Sequence, residues 1–422
     1  MSRSLALLSI VLLAFVVGCG RGDEDDGGSA SSGGGGETEV KTGPGVTADT
    51  IRLGALPDLT AVFGPLGQSM VQGMQLYWDG KNGDGGICGR QVEIDVQDTS
   101  YDPQKAVTLY REMSGDVLGL QILLGSPIVA ALQDTIEQDG MYVSLSAWTS
   151  MVLPNPNIQI TGATYDIESI NGIDFLMREK GIQEGDKLGH IYFEGDLGEN
   201  ALAGAKYAAS ERGLEIVEQK ITPADDDLSG QVAALKRAGV KAILMSTGPT
   251  QVASAAGVAA STGLDVPIMA NGPGFTPQLL ESPAADALIK NVNVVSSIAP
   301  YSLDSEGVQE IVTAFEEGGS KGTPTQVGLV FGWAQSLVMS QALEAACEAG
   351  DLTREGVLNA LHEMSGVDTG GVVAGSLDYT DPAQPPTREV YVAKVSKDVP
   401  GGLEVVGEPF SSEDAQSYQI GS

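Results

Sequence analysis

The stretch TIRLGALPDLTAVFGPLGQ, Thr50 to Gln68, sets the fold. Its first part, Thr50–Leu56, is apolar and partly β-branched and reads as a strand. Pro57 to Gly67 is a small, polar loop, and residues 67–81 continue as a helix. A strand that leaves through a polar loop into a helix is the opening unit of a parallel sheet. The unit recurs: strands at 91–96, 120–124 and 141–145 alternate with helices at 103–114 and 128–139. The alternation then restarts, with strands at 188–193, 214–219, 241–245 and 266–270 separated by helices at 198–212, 229–238 and 251–262. Two runs of this kind predict an α/β protein of two lobes, each a parallel sheet flanked by helices.

After a strand at 291–298 the pattern becomes helical at 306–317, 326–349 and 353–364. In the second of these, Val330, Ala334, Leu337, Val338, Gln341 and Ala345 follow the three-and-four spacing of a buried face. Residues 388–395 and 403–406 read as a closing hairpin through Asp398-Val399-Pro400-Gly401-Gly402.

The N-terminus is of another kind. Arg3 precedes the apolar run Leu5 to Val17, which is too short to span a bilayer. Val16-Val17-Gly18-Cys19 then sets small residues before a cysteine. The pattern resembles a bacterial lipoprotein signal, with residues 1–18 removed and Cys19 left as the lipid-modified N-terminus. Residues 19–45 hold Asp23-Glu24-Asp25-Asp26 and a glycine run at Gly33 to Gly36, a composition that cannot build a core. They read as a tether that reaches roughly 25–30 Å as a random coil. The folded domain is expected over 46–422.

Composition excludes several functions. With 23 Lys plus Arg against 56 Asp plus Glu, the formal charge of −33 repels nucleic acid and anionic membranes. Membrane attachment is therefore expected through the N-terminal lipid only. Beyond Cys19 there are Cys88 and Cys347, outside any zinc spacing. Outside the cytoplasm the pair reads more naturally as a disulfide, with two buried free thiols the alternative. The two histidines, His190 and His362, stand beside no nucleophile motif, and neither a phosphate-cradling loop nor a dinucleotide fingerprint follows any strand. No enzyme activity, cofactor or metal is expected.

Ligand binding has more support. In open α/β sheets the loops at the strand C-terminal ends meet ligands. Here those loops carry Thr60, Ser146 and Thr149 as hydrogen-bonding hydroxyls and Phe63 and Trp148 as apolar cover. The ordered set Ile51-Arg52-Leu53-Gly54, Leu59-Thr60, Gly64-Pro65-Leu66-Gly67-Gln68, Asn82-Gly83-Asp84-Gly85-Gly86-Ile87-Cys88-Gly89-Arg90, Asp98, Tyr101-Asp102-Pro103-Gln104-Lys105-Ala106 and Pro385-Pro386-Thr387-Arg388 resembles the branched-chain amino acid (leucine/isoleucine/valine) family of ABC-transporter substrate-binding proteins.

The resemblance, over about residues 50–410, implies the type I periplasmic binding protein fold: two lobes joined by three hinge crossovers. The N-lobe is expected at about 47–164 and 299–376 and the C-lobe at 165–298 and 377–410. Both cysteines then fall in the N-lobe, which favours the disulfide. The implied function is a monomeric, lipid-anchored protein on the extracytoplasmic face that closes on a small polar solute and delivers it to ABC permease subunits. The alternative is a ligand sensor that passes its closed state to a signalling partner.

The family's ligand-carboxylate loop reads Gly125-Ser126-Pro127-Ile128-Val129-Ala130 here, with an apolar residue in the serine position. Ala147 and Thr149 fall on its Ala-x-Thr pattern with Trp148 between them. The expected Tyr-Gly pair is Leu197-Gly198, the later tyrosine falls near Thr247, and the ammonium-binding acid falls near Asn271, with Asp196 a nearby substitute. An unpaired buried ammonium costs several kcal/mol, so the expected ligand is an amide, a urea-like molecule, a short carboxylate or an aromatic metabolite rather than a simple zwitterionic amino acid.

Overall fold

The computed structural model describes residues 40–318 and 327–420. Cys19, the signal and most of the expected tether lie outside these residues. Elements follow in chain order as β1 Lys41–Thr42, β2 Thr50–Leu56, α1 Gly64–Gly83, β3 Gln91–Val96, α2 Pro103–Met113, β4 Gly119–Leu123, α3 Ser126–Asp139, β5 Tyr142–Leu145, β6 Ile158–Gln159 and α4 Tyr165–Lys180. Next come β7 Lys187–Phe193, α5 Asp196–Glu211, β8 Glu215–Ile221, α6 Ser229–Ala238, β9 Ala242–Ser246, α7 Pro249–Thr262, β10 Ile268–Asn271, α8 Ala285–Asn291 and β11 Val292–Ser296. The chain ends with α9 Glu306–Glu317, α10 Val327–Glu348, β12 Asp351–Leu352, α11 Arg354–His362, β13 Tyr391–Val395, β14 Leu403–Val405 and α12 Glu413–Ser417.

Two main sheets result. The N-lobe sheet runs β3-β2-β4-β5-β6, all parallel. The C-lobe sheet runs β14-β13-β11-β10-β9-β7-β8, parallel except that the closing hairpin joins antiparallel beside β11. Strands β4, β5, β9, β10 and β11 are buried along their whole length. That is why they appear in the sequence as apolar runs rather than alternations. The chain passes between the sheets at β6 to α4, after β11, and again before β13, which are the three crossovers of the type I fold.

The longest helices of the N-lobe pack by backbone contact. A Cβ on Gly332 of α10 would lie 2.0 Å from Met70 O of α1, and one on Gly73 of α1 would lie 2.0 Å from Leu329 O. Tyr77 and Trp333 meet edge to face with ring centroids 5.1 Å apart, and a disulfide joins Cys88, just past α1, to Cys347 near the end of α10. In the C-lobe, α4 is buried from Tyr165 to Ile173 and packs on β10 and β11 beside α5, which packs on β7 and β8.

Two expected boundaries shift. The domain begins before Val46, because Lys41 N donates to Gly350 O and Gly43 N to Leu352 O, making β1 a partner of β12. The C-lobe also continues past 410. Ser412 N donates to Asn171 Oδ1 on α4, Arg212 pairs with Asp414 at 2.5 Å, and Ala415 and Tyr418 are buried. The sequence reading missed α4 altogether, since a helix buried around its circumference has no polar stripe to betray its period. Among the described residues no helix is long and apolar enough to cross a membrane.

Gly332→Ala is expected to destabilise the domain by about 1–3 kcal/mol, because the new methyl must force the two helices apart. Gly80→Ala on α1, where a Cβ meets nothing within 4 Å, is expected to leave stability unchanged or raise it. Denaturant unfolding of the two variants checks the contrast.

Candidate functional site

The loops at the C-terminal ends of both sheets face a shared cleft. Its larger chamber, ≈400 Å³, is lined from the N-lobe by Leu66, Ser146, Trp148, Val327 and Phe331, and from the C-lobe side by Tyr165, Glu168, Gly272, Pro273, Ser296 and Ile298. A second chamber of ≈290 Å³ adds Phe63, Tyr101, Gly125, Ala147 and Leu197 and shares Leu66, Ser146, Tyr165 and Pro273. The lining is mostly apolar, and no lysine, arginine or histidine is among the described residues of either chamber.

Local chemistry puts each wall in place. After β2 the loop winds around the buried carboxylate of Asp58, which accepts hydrogen bonds from the backbone N–H of Thr60 (3.1 Å), Ala61 (2.7 Å) and Phe63 (2.9 Å). That turn delivers Phe63 to the chamber, edge to face on Tyr101 at 5.2 Å. Gly125 has φ +120°, and a Cβ there would meet the Tyr101 ring at 2.6 Å. The loop after β5 is held from α10: Ser146 Oγ donates to Gln335 Oε1 at 3.2 Å, and Gln335 Nε2 donates to Ser144 Oγ at 2.9 Å. Trp148 then stands edge to face on Phe331 at 4.7 Å.

From the other side, α4 directs its first turn at the cleft. Acidic residues in that turn suit the positive end of the helix dipole. The two acids differ in their surroundings. Asp166 accepts from Ser150 Oγ (2.7 Å), Asn200 Nδ2 (3.1 Å), Ile167 N (2.8 Å) and the Thr164 hydroxyl, a fully satisfied buried carboxylate. Glu168, also fully buried, has one hydrogen bond of normal geometry, accepted by Oε2 from Asn271 Nδ2 at 2.9 Å, while Oε1 has no partner. Burial pushes its carboxyl up to about 8. Nearby N–H groups of Asn271, Ser297 and Gly272 pull the other way, and the charge of Asp166 adds to the rise. The indole Nε1 of Trp148 is likewise buried and unpartnered. Two residues that line the larger chamber thus each carry a buried polar atom that the protein leaves unsatisfied, a group that a bound ligand could complete.

Of the residues singled out in the sequence, Phe63, Ser146, Ala147 and Trp148 line the chambers. Asn271 lies behind the lining and holds Glu168. Asp196 is half-buried next to the lining residue Leu197, and burial raises its pKa. Three hydroxyls are engaged elsewhere and line neither chamber. Thr60 Oγ1 donates to Asp98 Oδ2 at 2.8 Å, Thr149 Oγ1 accepts from Met151 N at 3.4 Å, and Thr247 Oγ1 donates to Gly248 O at 3.3 Å. Glu168, an acid that the sequence reading did not single out, reaches Asn271 from α4. The signal for it was the run Thr164-Tyr165-Asp166-Ile167-Glu168, a hydroxyl residue followed by two acids, which is a helix start.

Residues 50–400 match the model of a family described as periplasmic binding protein. The chain is similar to a fatty acid ABC transporter substrate-binding protein from Thermomonospora curvata, 44% identical over 90% of this chain and 97% of that one, with a TM-score of 0.87. It has the same fold as a branched chain amino acid ABC transporter protein from Thermus thermophilus with bound valine, 18% identical over 88% and 99% of the two chains, TM-score 0.78. A Leu/Ile/Val-binding protein homolog 3 of Brucella melitensis is 22% identical over 200 residues, 46% of this chain and 53% of that protein. The chain thus spans about half the length of the curated relatives it matches.

Because folding raises the Glu168 pKa, the folded state keeps a proton that the unfolded chain releases between about 4.5 and about 8. Stability from this group is full below about 4.5 and lost as pH rises through about 8. Melting temperatures measured across that window should therefore fall more in the native chain than in Glu168→Gln. Parallel profiles would mean that Glu168 is ionised in the folded protein.

Proposed function

The chain belongs to the periplasmic binding protein family, and from that premise we propose that it is a monomeric, lipid-anchored solute-binding protein, attached through Cys19, that delivers an apolar carboxylate to ABC permease subunits. The ligand sits between the N-lobe and the C-lobe, and closure follows from its greater affinity for the closed state.

One observation carries the ligand class. The larger chamber is an apolar enclosure, and two of the residues that line it, Trp148 and Glu168, each carry a buried polar atom without a hydrogen-bond partner, Nε1 and Oε1. The indole N–H is a donor and nothing else, so the ligand must bring an acceptor to it. An apolar body with an oxygen-bearing head meets both requirements. The relative at 44% identity is described as a fatty acid transporter component, which supports an aliphatic chain. The Phe63 and Tyr101 rings and Leu197 extend the apolar wall into the second chamber.

A thermal-shift series with octanoate, dodecanoate, benzoate, leucine and valine tests this reading, since a ligand that binds only the folded state raises the melting temperature. The aliphatic carboxylates are expected to shift it and the amino acids to leave it unmoved. A shift with leucine or valine alone would overturn the proposed class. Trp148→Phe keeps the ring and deletes the N–H, and is expected to weaken octanoate binding by about 1 kcal/mol, roughly fivefold. Isothermal titration of the variant measures that loss.

A further inference from the structure

A chain of buried hydrogen bonds runs from the interior of the C-lobe to the cleft. His190 Nε2 is 2.9 Å from Ser246 Oγ, Ser246 Oγ donates to Asn271 Oδ1 at 2.7 Å, and Asn271 Nδ2 donates to Glu168 Oε2 at 2.9 Å. His190 and Glu168 are 0% exposed, Ser246 1% and Asn271 5%. Because the Ser246 hydroxyl proton goes to Asn271, its oxygen must accept from His190, which puts a proton on Nε2, and burial keeps the ring neutral. His190 Nδ1 is then a bare acceptor, in keeping with its lack of a partner. Every donor in the series points toward Glu168, so Oε2 is already an acceptor. A proton carried by this carboxyl belongs on Oε1, which has no hydrogen-bond partner of normal geometry, although the N–H groups of Ser297 and Gly272 lie near the carboxyl.

We propose that Glu168 is the specificity-determining residue of the cleft: as a neutral carboxylic acid it donates its Oε1 proton to the ligand's carboxylate, so that an apolar anion is held by a shared proton rather than by a cation. His190, Ser246 and Asn271 are positioning residues that orient the acid. The inference rests on the ligand class given above.

The electrostatics around the acid agree. On α4 itself Asp166 and Tyr165 face it. The loops after β10 and β11 present Asn271, Gly272, Pro273, Ser296 and Ser297, and α10 presents Val327 and Phe331, none of them ionisable. His190 is driven down to about 3 by burial and stays uncharged. An ionised Glu168 would repel a ligand anion, and among the described lining residues there is no Lys or Arg to offset the repulsion. The proton balance is simple. Where Glu168 is protonated, the anion binds and no proton is exchanged with solvent. Where Glu168 is ionised, binding takes up one proton.

The test is isothermal titration of octanoate, whose own carboxyl stays ionised, from about pH 6 to about pH 9. With a carboxyl near 8, only about a tenth of the protein is competent at the upper end, so affinity should fall about tenfold. Repeating the titration in buffers of different ionisation enthalpy should show uptake of close to one proton at the upper end. Glu168→Gln keeps a donor but has no proton to lose, and its affinity should change less than twofold across the range. Glu168→Leu should lose at least tenfold at every pH. Octanoate binding by the native chain with no pH dependence and no proton uptake overturns this inference alone. Failure of every aliphatic carboxylate to bind at any pH overturns the ligand class with it. Affinity that rises with pH and vanishes in Glu168→Gln would assign Glu168 to a ligand cation and also overturn the proposal.

Discussion

Ser297 is the point at which the two lobes are tied. Its hydroxyl accepts from Ala163 N at 2.6 Å, and its carbonyl accepts from Ala374 N at 2.8 Å. These are the two segments that enter the C-lobe, and Ser297 itself lies on the crossing that leaves it after β11. One residue thus joins the three crossings by hydrogen bonds in a site with no exposure to water. Gly162 adds to the constraint, since a Cβ there would lie 2.9 Å from the Ser297 side chain and from Trp148. Rotation of one lobe against the other has to occur about this point. The larger chamber opens beside it, between Trp148, Ser296 and Ile298.

The same region holds the polar groups on which recognition turns. Asp166 and Glu168 sit two residues apart on one buried helix, yet their environments differ. Asp166 is surrounded by four donors that link Ser150, past the N-lobe strands, to Asn200 on α5. Its hydrogen bonds couple the lobes. Glu168 has one donor and an open oxygen. Burial without full satisfaction favours the neutral acid, and a neutral acid can donate where a carboxylate cannot. The chemical difference between the two acids lies in their neighbours and not in their own side chains.

Much of the architecture was legible in the sequence because parallel strands buried on both faces leave unmistakable apolar runs between polar loops. Residues 188–193, 241–245 and 266–270 are of this kind, and each coincides with a strand to within two residues. The closing hairpin was legible through its Pro-Gly-Gly turn. Helix α4 was not, because its apolar residues are spread around its circumference. With it went the carboxyl that faces the cleft. Thr60, Thr149 and Thr247 were sensible candidates as hydroxyls on the right loops, but a hydroxyl two residues from a backbone N–H or beside an aspartate readily finds a local partner. Thr149 and Thr247 have done so within their own loops, while Thr60 pairs with Asp98 of the loop after β3.

The sequence by itself determined the α/β alternation, the two-lobed plan and the loops that face the cleft, because these follow from periodicities of two and 3.6 residues that any short window displays. It also set the aromatic cover, Phe63 and Trp148. Only the tertiary structure decided which polar atoms remain unpaired in the cleft. Glu168 meets Asn271 across 103 residues of chain, Ser246 comes from a third element and His190 from a fourth. Whether a side chain is satisfied depends on partners brought from distant parts of the chain by packing, and no local pattern records that.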